Sequence, residues 1–277
     1  MSTTPVAIIT GAGSGIGRSL AVLLAQRGYA LVLVGRTRSN LSHTASLTGA
    51  GERIEVAAGD VSDPFTSRHM VARAVERFGR LDALVNNAGL APLSPIDRTT
   101  PEALERCFRI NALAPGFATH FAWPVFARQH EAHAAGQPSV AASPPRATVV
   151  NVSTIGTLDP FPGFFAYAAA KAATNLMAAS IAKEGAKIGV RGFAVAPGAV
   201  ETEMLRALFP PSALPPSACL APDDVARVIV SCIEGERDAD NGRVIPVVPA
   251  AQAAWLTAWR AENPGGFLGA APAAPGS

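Results

Sequence analysis

Charged residues are scarce in this sequence, and neither sign dominates. Asp, Glu, Lys and Arg make up 16% of the 277 residues, against about 25% in an ordinary soluble domain. The 23 basic and 21 acidic residues leave a formal net charge of +2, which indicates neither a nucleic acid nor an anionic membrane as a partner. Because hydrophobic residues reach 49%, intrinsic disorder is excluded as a description of the whole chain.

Cysteine is rare as well. The three cysteines are too few and too far apart for a disulfide framework or a zinc site, and an odd number suits a reducing compartment. His130 and His133 lack the spacing of a zinc-enzyme motif, so we predict no metal site. No basic segment leads into a long apolar run at the start, and the uncharged run 110–127 contains Asn, Gly and Pro. We therefore expect neither a secretory signal nor a membrane span, and a cytoplasmic protein.

Short apolar runs alternate with longer amphipathic stretches along the chain. Several of the runs are continuously apolar, as is typical of strands buried on both faces. This alternation predicts an α/β fold, a Rossmann-type doubly wound parallel sheet of about seven strands with helices on both faces. Residues 1–250 are predicted to form one domain, and 251–277 a partly disordered extension rich in Gly, Ala and Pro. The predicted strands are 6–10, 30–34, 54–58, 81–85, 147–152, 190–196 and 243–248.

A glycine-rich turn follows the first predicted strand and leads into a helix. Its spacing is Gly-x-x-x-Gly-x-Gly, and an ordinary strand-to-helix connection is the alternative. Glycines at such a place let backbone N–H groups approach a pyrophosphate at the helix N-terminus. We therefore predict a dinucleotide site at Gly11, Ser14, Gly15, Ile16 and Gly17.

Arg36 and Asp60 follow the second and third strands, where a doubly wound fold receives the adenosine half of a dinucleotide. A guanidinium at the first position suits a 2′-phosphate through bidentate hydrogen bonds. This favours NADP(H) over NAD(H) as cofactor, although a solvated surface arginine is the alternative. Asp60 is a candidate acceptor for the adenine amine, and a plain turn aspartate is the competing interpretation.

Tyr167 and Lys171 lie four residues apart in a helical stretch and therefore on one helix face. An ammonium beside a phenol favours the phenolate, so this pair predicts a tyrosine pKa lowered from about 10. An incidental surface pair is the alternative for this spacing alone.

Together these features resemble the short-chain dehydrogenase/reductase family over roughly residues 5–250. Three further motifs support the resemblance, and they follow one another in the family's order. The matching positions are the glycine turn 10–17, the adenine-contacting pair Asp60 and Val61, the strand-four motif with Asn87, Ala88 and Gly89, the helix asparagine Asn111, and the nicotinamide-amide segment with Pro197, Val200 and Thr202.

The resemblance assigns a role to each reactive residue. It implies that Tyr167 is the general acid in reduction and the general base in the reverse direction. Lys171 would hold the nicotinamide ribose and lower the tyrosine pKa, and Asn111 would support a water of the proton relay. Val200 and Thr202 would fix the carboxamide.

One position departs from the family pattern. Thirteen residues before the tyrosine, the family usually has a serine and this chain has Thr154. Ser153 is adjacent, but neighbouring strand residues point to opposite faces, so we do not expect it to substitute. Thr154 keeps a hydroxyl for the carbonyl oxygen, and its methyl narrows the pocket. We expect retained chemistry with an altered substrate range.

The substrate and the assembly are predicted from apolar segments. Phe161, Phe164 and Phe165, with the proline-rich segment 209–222 as a stiff lid, indicate an uncharged ketone or aldehyde, unless these rings belong to the core. The alternatives are an NAD-linked alcohol dehydrogenase and a non-catalytic dinucleotide-binding sensor. The apolar stretch 112–126 predicts a helix that is buried or at an interface, and the family resemblance implies a homodimer or homotetramer.

Overall fold

A seven-stranded parallel sheet forms the centre of the protein in a computed structural model that describes residues 4–136 and 146–262. The strand order is β3-β2-β1-β4-β5-β6-β7. This confirms the predicted doubly wound Rossmann-type α/β fold, and each strand lies within two residues of its predicted bounds. The strands are β1 (Val6–Thr10), β2 (Ala30–Gly35), β3 (Ile54–Ala58), β4 (Ala83–Asn86), β5 (Thr148–Val152), β6 (Arg191–Pro197) and β7 (Val244–Val247).

The strand order reverses between β1 and β4, and this reversal positions the site. β1 pairs with β2 on one side and with β4 on the other, all in parallel register. Ligands of open parallel sheets bind beyond the carboxyl ends of the strands at such a switch point. The glycine turn after β1, Arg36 after β2 and Asn87 after β4 therefore share one edge of the sheet.

Helices cover both faces of the sheet. α1 and α8 pack on one face with a core that includes Leu20 and Ile229, while α3, α5 and α6 pack on the other with a core that includes Met70 and Phe126. The helices are α1 (Gly15–Gln26), α2 (Arg38–Thr48), α3 (Pro64–Phe78), α4 (Pro101–Phe108), α5 (Ala114–Ala134), α6 (Phe165–Gly185), α7 (Glu203–Leu208), α8 (Pro222–Glu234) and α9 (Ala253–Glu262).

Two segments differ from their sequence interpretation. The glycine and prolines among the alanines and serines of 129–146 predict an exposed loop, but α5 continues to Ala134, and the Gln129 amide is used inside the fold. Its Oε1 accepts from Leu81 N–H at 2.7 Å and its Nε2 donates to the Leu81 carbonyl at 2.8 Å. In addition, one π-helical turn, Arg109–Leu113, joins α4 to α5. Residues 137–145 and the predicted disordered tail 263–277 lie outside the described residues.

Candidate active site

The glycine turn after β1 has backbone geometry that side chains would obstruct. Gly11 and Gly15 have φ angles of +67° and +49°, values that glycine adopts without strain. A Cβ on Gly17 would lie 2.3 Å from the Gly11 carbonyl oxygen. The Asn87 Nδ2 amide donates to the carbonyls of Thr10, at 2.9 Å, and Gly11, at 3.3 Å. Only glycine allows the backbone segments of this turn to approach one another so closely, as is expected of a turn that receives a pyrophosphate.

α1 begins directly at this turn. Its N-cap residue, Ser14, makes no side-chain capping hydrogen bond, so the positive end of the helix dipole and its N–H groups face the turn. Ile16, at the start of α1, also packs against the core on the α1 and α8 side. A Cβ on Gly15 would lie 3.0 Å from the Thr202 methyl group, which brings the first and last predicted cofactor motifs together.

Arg36 and Asp60, the residues predicted to contact the adenosine half of the cofactor, are both exposed. The Ser62 N–H donates to Asp60 Oδ1 at 2.9 Å. This bond, with the charge of Arg36 as a smaller cause, lowers the pKa of the Asp60 carboxyl. Arg36 forms no ion pair within residues 4–136 and 146–262, so its guanidinium is available to an anion. Val61, which follows Asp60, packs against the core on the α3 side.

The Thr154 hydroxyl, just beyond β5, lies near the Tyr167 hydroxyl on α6 and acts to lower its pKa. The Thr154 oxygen also accepts from the Gly156 N–H at 3.2 Å. Ser153 is only 1% exposed, and its Oγ has no hydrogen-bond partner. Of the two adjacent hydroxyls, the structure therefore brings Thr154 to the tyrosine.

Lys171 is 3% exposed, and its Nζ donates to the Val152 carbonyl at 2.7 Å. It lies one helical turn beyond Tyr167. A Cβ on Gly89 would lie 3.3 Å from Lys171 Nζ and 2.8 Å from Asn111 Oδ1, so the glycine of the strand-four motif lets both side chains approach the end of β4. Burial of the ammonium lowers the pKa of Lys171 to about 8.

The prediction that Lys171 lowers the tyrosine pKa is wrong for this structure. Loss of solvent around the phenol raises the pKa of Tyr167 to about 12, opposed by the nearby Thr154 hydroxyl and assisted by the nearby Cys107 thiol. Desolvation penalises phenolate and ammonium alike, and the Lys171 ammonium is bonded to a backbone carbonyl instead of the phenol. At neutral pH the phenol therefore holds its proton.

Asn111 lies in the π-helical turn, and its side chain binds the chain that follows β4. Oδ1 accepts from the Leu90 N–H at 3.2 Å, and Nδ2 donates to the Leu90 carbonyl at 2.8 Å. Nδ2 also donates to the carbonyl and the sulfur of Cys107, one turn earlier. The sequence carried no signal for the π-helical turn, which sets the direction of this amide.

The predicted amide-binding segment continues from β6. Pro197 is its last strand residue, paired with Val247, and Val200 forms a parallel bridge with Leu220. The Thr202 hydroxyl donates to the Val200 carbonyl at 3.2 Å and accepts from the Leu205 N–H at 3.2 Å. Thr202 thereby begins α7 as its N-cap and fixes the bend after Val200.

Aromatic rings form one wall beside the tyrosine. The Phe164 ring lies 5.6 Å from the Tyr167 ring and 6.5 Å from the Phe209 ring, centroid to centroid. Phe161 and Phe165 are about half exposed. Leu93, which the sequence did not single out, packs against Gly163, where a Cβ would come within 2.7 Å of its Cδ1. We call the neighbouring rings of Phe164 and Phe209 the apolar wall.

No metal site is formed within the residues that the structure describes. They contain no group of three or more His, Cys, Asp or Glu side chains that could hold a metal ion. None of their helices combines the length and the hydrophobicity needed to cross a bilayer.

Comparison with known proteins gives many matches of one kind. Residues 5–212 match the family described as short chain dehydrogenase. An uncharacterized oxidoreductase of Thermotoga maritima is 32% identical over 203 residues, 73% of this chain and 74% of that protein. A 3-oxoacyl-(acyl-carrier-protein) reductase of the same organism is 30% identical over 249 residues, covering 87% of this chain and 95% of the relative.

Solved structures agree in fold. A 3-ketoacyl-(acyl-carrier-protein) reductase of Brucella melitensis, complexed with NADH, superposes with a TM-score of 0.79 at 27% identity, over 90% of this chain and 99% of that one. Levodione reductase gives a TM-score of 0.79 at 25% identity, over 91% of this chain and 100% of its own. These matches show that the chain belongs to the short-chain dehydrogenase/reductase family, whose members are oxidoreductases that use a nicotinamide dinucleotide.

Proposed function

We propose that the protein is an NADP(H)-dependent reductase of ketones or aldehydes, reversible as a dehydrogenase of secondary alcohols. One observation carries the proposal: Tyr167 has the Thr154 hydroxyl near its own and the buried Lys171 one helical turn away, at the carboxyl ends of the strands, where the glycine turn also lies. A phenol and a neighbouring hydroxyl can both donate to a carbonyl oxygen as it gains negative charge.

The chain's own residues would hold the cofactor along this edge. Bound nicotinamide supplies the hydride, and the protein orients it and moves the proton. The glycine turn fits the pyrophosphate, and Arg36 fits a 2′-phosphate because it has no competing carboxylate partner among the described residues. The positions assigned to binding are Gly11, Ser14, Gly15, Ile16, Gly17, Arg36, Asp60, Val61, Asn87, Ala88, Gly89, Tyr167, Lys171, Pro197, Val200 and Thr202.

Tyr167 is suited to give a proton to the substrate. Its pKa of about 12 keeps it protonated at neutral pH, so reduction finds the acid in the required state. Thr154 is placed to hold the same oxygen. Because both amide hydrogens of Asn111 are used on the backbone, we assign this residue to positioning the turn after β4, and a supported water would have to be held by its main chain.

The apolar wall supports an uncharged, hydrophobic carbonyl substrate. Its rings offer apolar contact area beside Tyr167, and burying apolar substrate surface against them contributes about 25 cal/mol per Å². The relative solved with NADH makes an NAD-linked dehydrogenase the second candidate. Arg36 argues against it, because its guanidinium has no carboxylate partner among the described residues and suits the 2′-phosphate that NAD lacks.

We also propose a homodimer or homotetramer in the cytoplasm. Leu113 and Leu176 expose about half of their surface on helical segments that pack together, the π-helical turn and α6. Exposed aliphatic residues on neighbouring helices favour an interface between copies of the chain.

The proposal is tested by following NADPH oxidation with a panel of ketones and aldehydes. We expect wild-type turnover to be best on apolar ketones. Tyr167→Phe removes the proton donor and keeps the ring, so its turnover should fall about a hundredfold or more, while NADPH binding followed by fluorescence stays close to wild type. A Tyr167→Phe variant that retained most of the rate would remove Tyr167 from the mechanism, and a wild type that bound NADPH but turned over nothing would favour the sensor.

A further inference from the structure

Arg206, on α7, binds the segment that carries Phe209. Its Nη1 donates to the carbonyls of Phe209, at 3.1 Å, and Leu214, at 2.7 Å. Its Nε and Nη2 pair with the carboxylate of Glu201, with Nε at 2.6 Å from Oε1. Nη2 also reaches the sulfur of Cys219 at 3.7 Å. A guanidinium has five N–H donors, and here all five have an acceptor.

The ends of the same segment are fixed by backbone hydrogen bonds. Leu220 N–H donates to the Ala199 carbonyl at 2.8 Å, and Glu201 N–H donates to the Leu220 carbonyl at 2.9 Å. Residues 201–220 therefore form a loop closed at its base beside Val200. Between the ends, Ala213 and Leu214 donate to the Pro210 carbonyl in one tight turn, and Ala218 and Cys219 donate to the carbonyls of Pro215 and Pro216 in a second. The Arg206 side chain links the carbonyls of Phe209 and Leu214 to Glu201 at the base of the loop.

The charge of Arg206 fits this role. Its side chain is 19% exposed and that of Glu201 is 39% exposed, so the pair is partly shielded from water. A lysine at this place would keep the charge but could not bond two carbonyls and a bidentate carboxylate at once. The loop needs such a tie because four prolines at 210, 211, 215 and 216 remove backbone donors from it.

We propose that Arg206 is a positioning residue of the substrate site, which holds residues 209–220 so that Phe209 completes the apolar wall beside Phe164 and Tyr167. It touches none of the reacting groups. The inference rests on the proposed function, because a carbonyl substrate is what the wall would contact. Arg206 would thus contribute to substrate affinity, although it belongs to none of the motifs for cofactor binding or proton transfer.

The first test replaces Arg206 by methionine, which keeps an unbranched side chain and removes every donor. With acetophenone as the probe, KM should rise about tenfold or more, the loss expected for hydrogen bonds from a charged group, while kcat and the Kd for NADPH stay near wild type. Arg206→Lys should fall between the two, and it also serves if the methionine variant fails to fold. The matched control is Arg227→Met, which removes a guanidinium that pairs with Asp223 and Asp224 on the exposed face of α8.

A second measurement follows the loop without relying on turnover. Hydrogen exchange of a peptide covering residues 207–221 should be faster in Arg206→Met and unchanged in Arg227→Met. Phe209→Ala should raise KM with Arg206 in place, and the double variant should be no worse than the poorer single variant, since coupled residues are not additive.

The outcomes separate this inference from the proposed function. Unchanged exchange in Arg206→Met would overturn the tie itself, and faster exchange with an unaltered KM would show that the loop is no part of the substrate site. If wild type reduces no ketone at all, the proposed function fails, and the exchange result still decides whether Arg206 holds the loop.

Discussion

Thr154 is the residue at which this chain departs from its family, and its hydroxyl accepts from the Gly156 N–H and lies near Tyr167. We expect Thr154→Val to keep the branched shape and lose the donor. The loss should appear in kcat, because a hydrogen bond to the carbonyl oxygen strengthens as charge develops, and one such donor is worth on the order of 2.7–4 kcal/mol. Thr154→Ser should keep turnover and accept bulkier ketones, measured as kcat/KM on one small and one bulky substrate.

Ser153 gives the matched control for that experiment. Its Oγ is buried without a partner, so Ser153→Ala removes an unsatisfied polar atom and should leave turnover unchanged and stability equal or higher. A fully active Thr154→Val together with an impaired Ser153→Ala would exchange the roles of the two hydroxyls.

The pKa values of the site show where residue spacing alone stops being informative. The interval between Tyr167 and Lys171 places them on one face of α6, and from the sequence an ammonium beside a phenol is expected to lower its pKa. Desolvation depends on what the rest of the chain packs around both groups, which spacing does not contain. Here it raises the pKa of the phenol and lowers that of the ammonium, to about 12 and about 8. At neutral pH the phenol therefore keeps its proton, which is the state that the proposed general acid requires.

At the scale of elements, the strands were predictable and the π-helical turn was not. Continuous apolar runs such as Val6–Thr10 are buried along their full length, so the apolar pattern alone was enough to predict these strands. The helical stretch from Pro101 to Ala134 contains one extra residue in a turn at Arg109–Leu113. Nothing in its residue types distinguishes that turn from ordinary helix, because the bonds between Asn111 and Leu90 that accompany it depend on the path of the chain after β4.

This dependence leads to a prediction for the turn. Asn111→Ala would leave the N–H and the carbonyl of Leu90 without their partner, which should lower the free energy of unfolding by about 2 kcal/mol or more. Because Leu90 follows Gly89, where Lys171 and Asn111 meet, kcat should fall as well. Urea unfolding followed by circular dichroism, together with steady-state kinetics, measures both.

The control for this turn is a second substitution at the same position. Asn111→Asp keeps an acceptor for the Leu90 N–H but turns a carboxyl oxygen towards the carbonyls of Leu90 and Cys107 at a fully buried position, so its stability should be no higher than that of Asn111→Ala. If Asn111→Ala unfolds at the wild-type urea concentration, the bonds to Leu90 do not hold the turn.

At the scale of the whole molecule, the topology assembles the site from parts far apart in sequence. The glycine turn, Arg36 and the candidate reactive residues of α6 lie at the carboxyl ends of the strands because the strands are parallel and their order reverses between β1 and β4. Family motifs supplied the candidate residues of the site. They could not predict the Arg206 tie or the approach of Leu93 to Gly163, because both join loops whose paths depend on tertiary packing.

The last prediction concerns how cofactor binding stabilises the folded protein. A ligand that binds only the folded state adds RT ln(1 + [L]/Kd) to its stability, so the preferred cofactor raises Tm more at equal concentration. Charge-assisted bonds from Arg36 to a 2′-phosphate should favour NADPH over NADH by about tenfold to a hundredfold in Kd. At saturating concentrations we expect NADPH to give the larger rise in Tm, by a few degrees, and Arg36→Asp to reverse the order. Arg128→Asp makes the same charge change beside Gln129, which binds Leu81 ahead of β4 at the opposite edge of the sheet, and it should keep the wild-type order. Equal stabilisation of the wild type by NADPH and NADH would contradict the assignment of Arg36 to the 2′-phosphate.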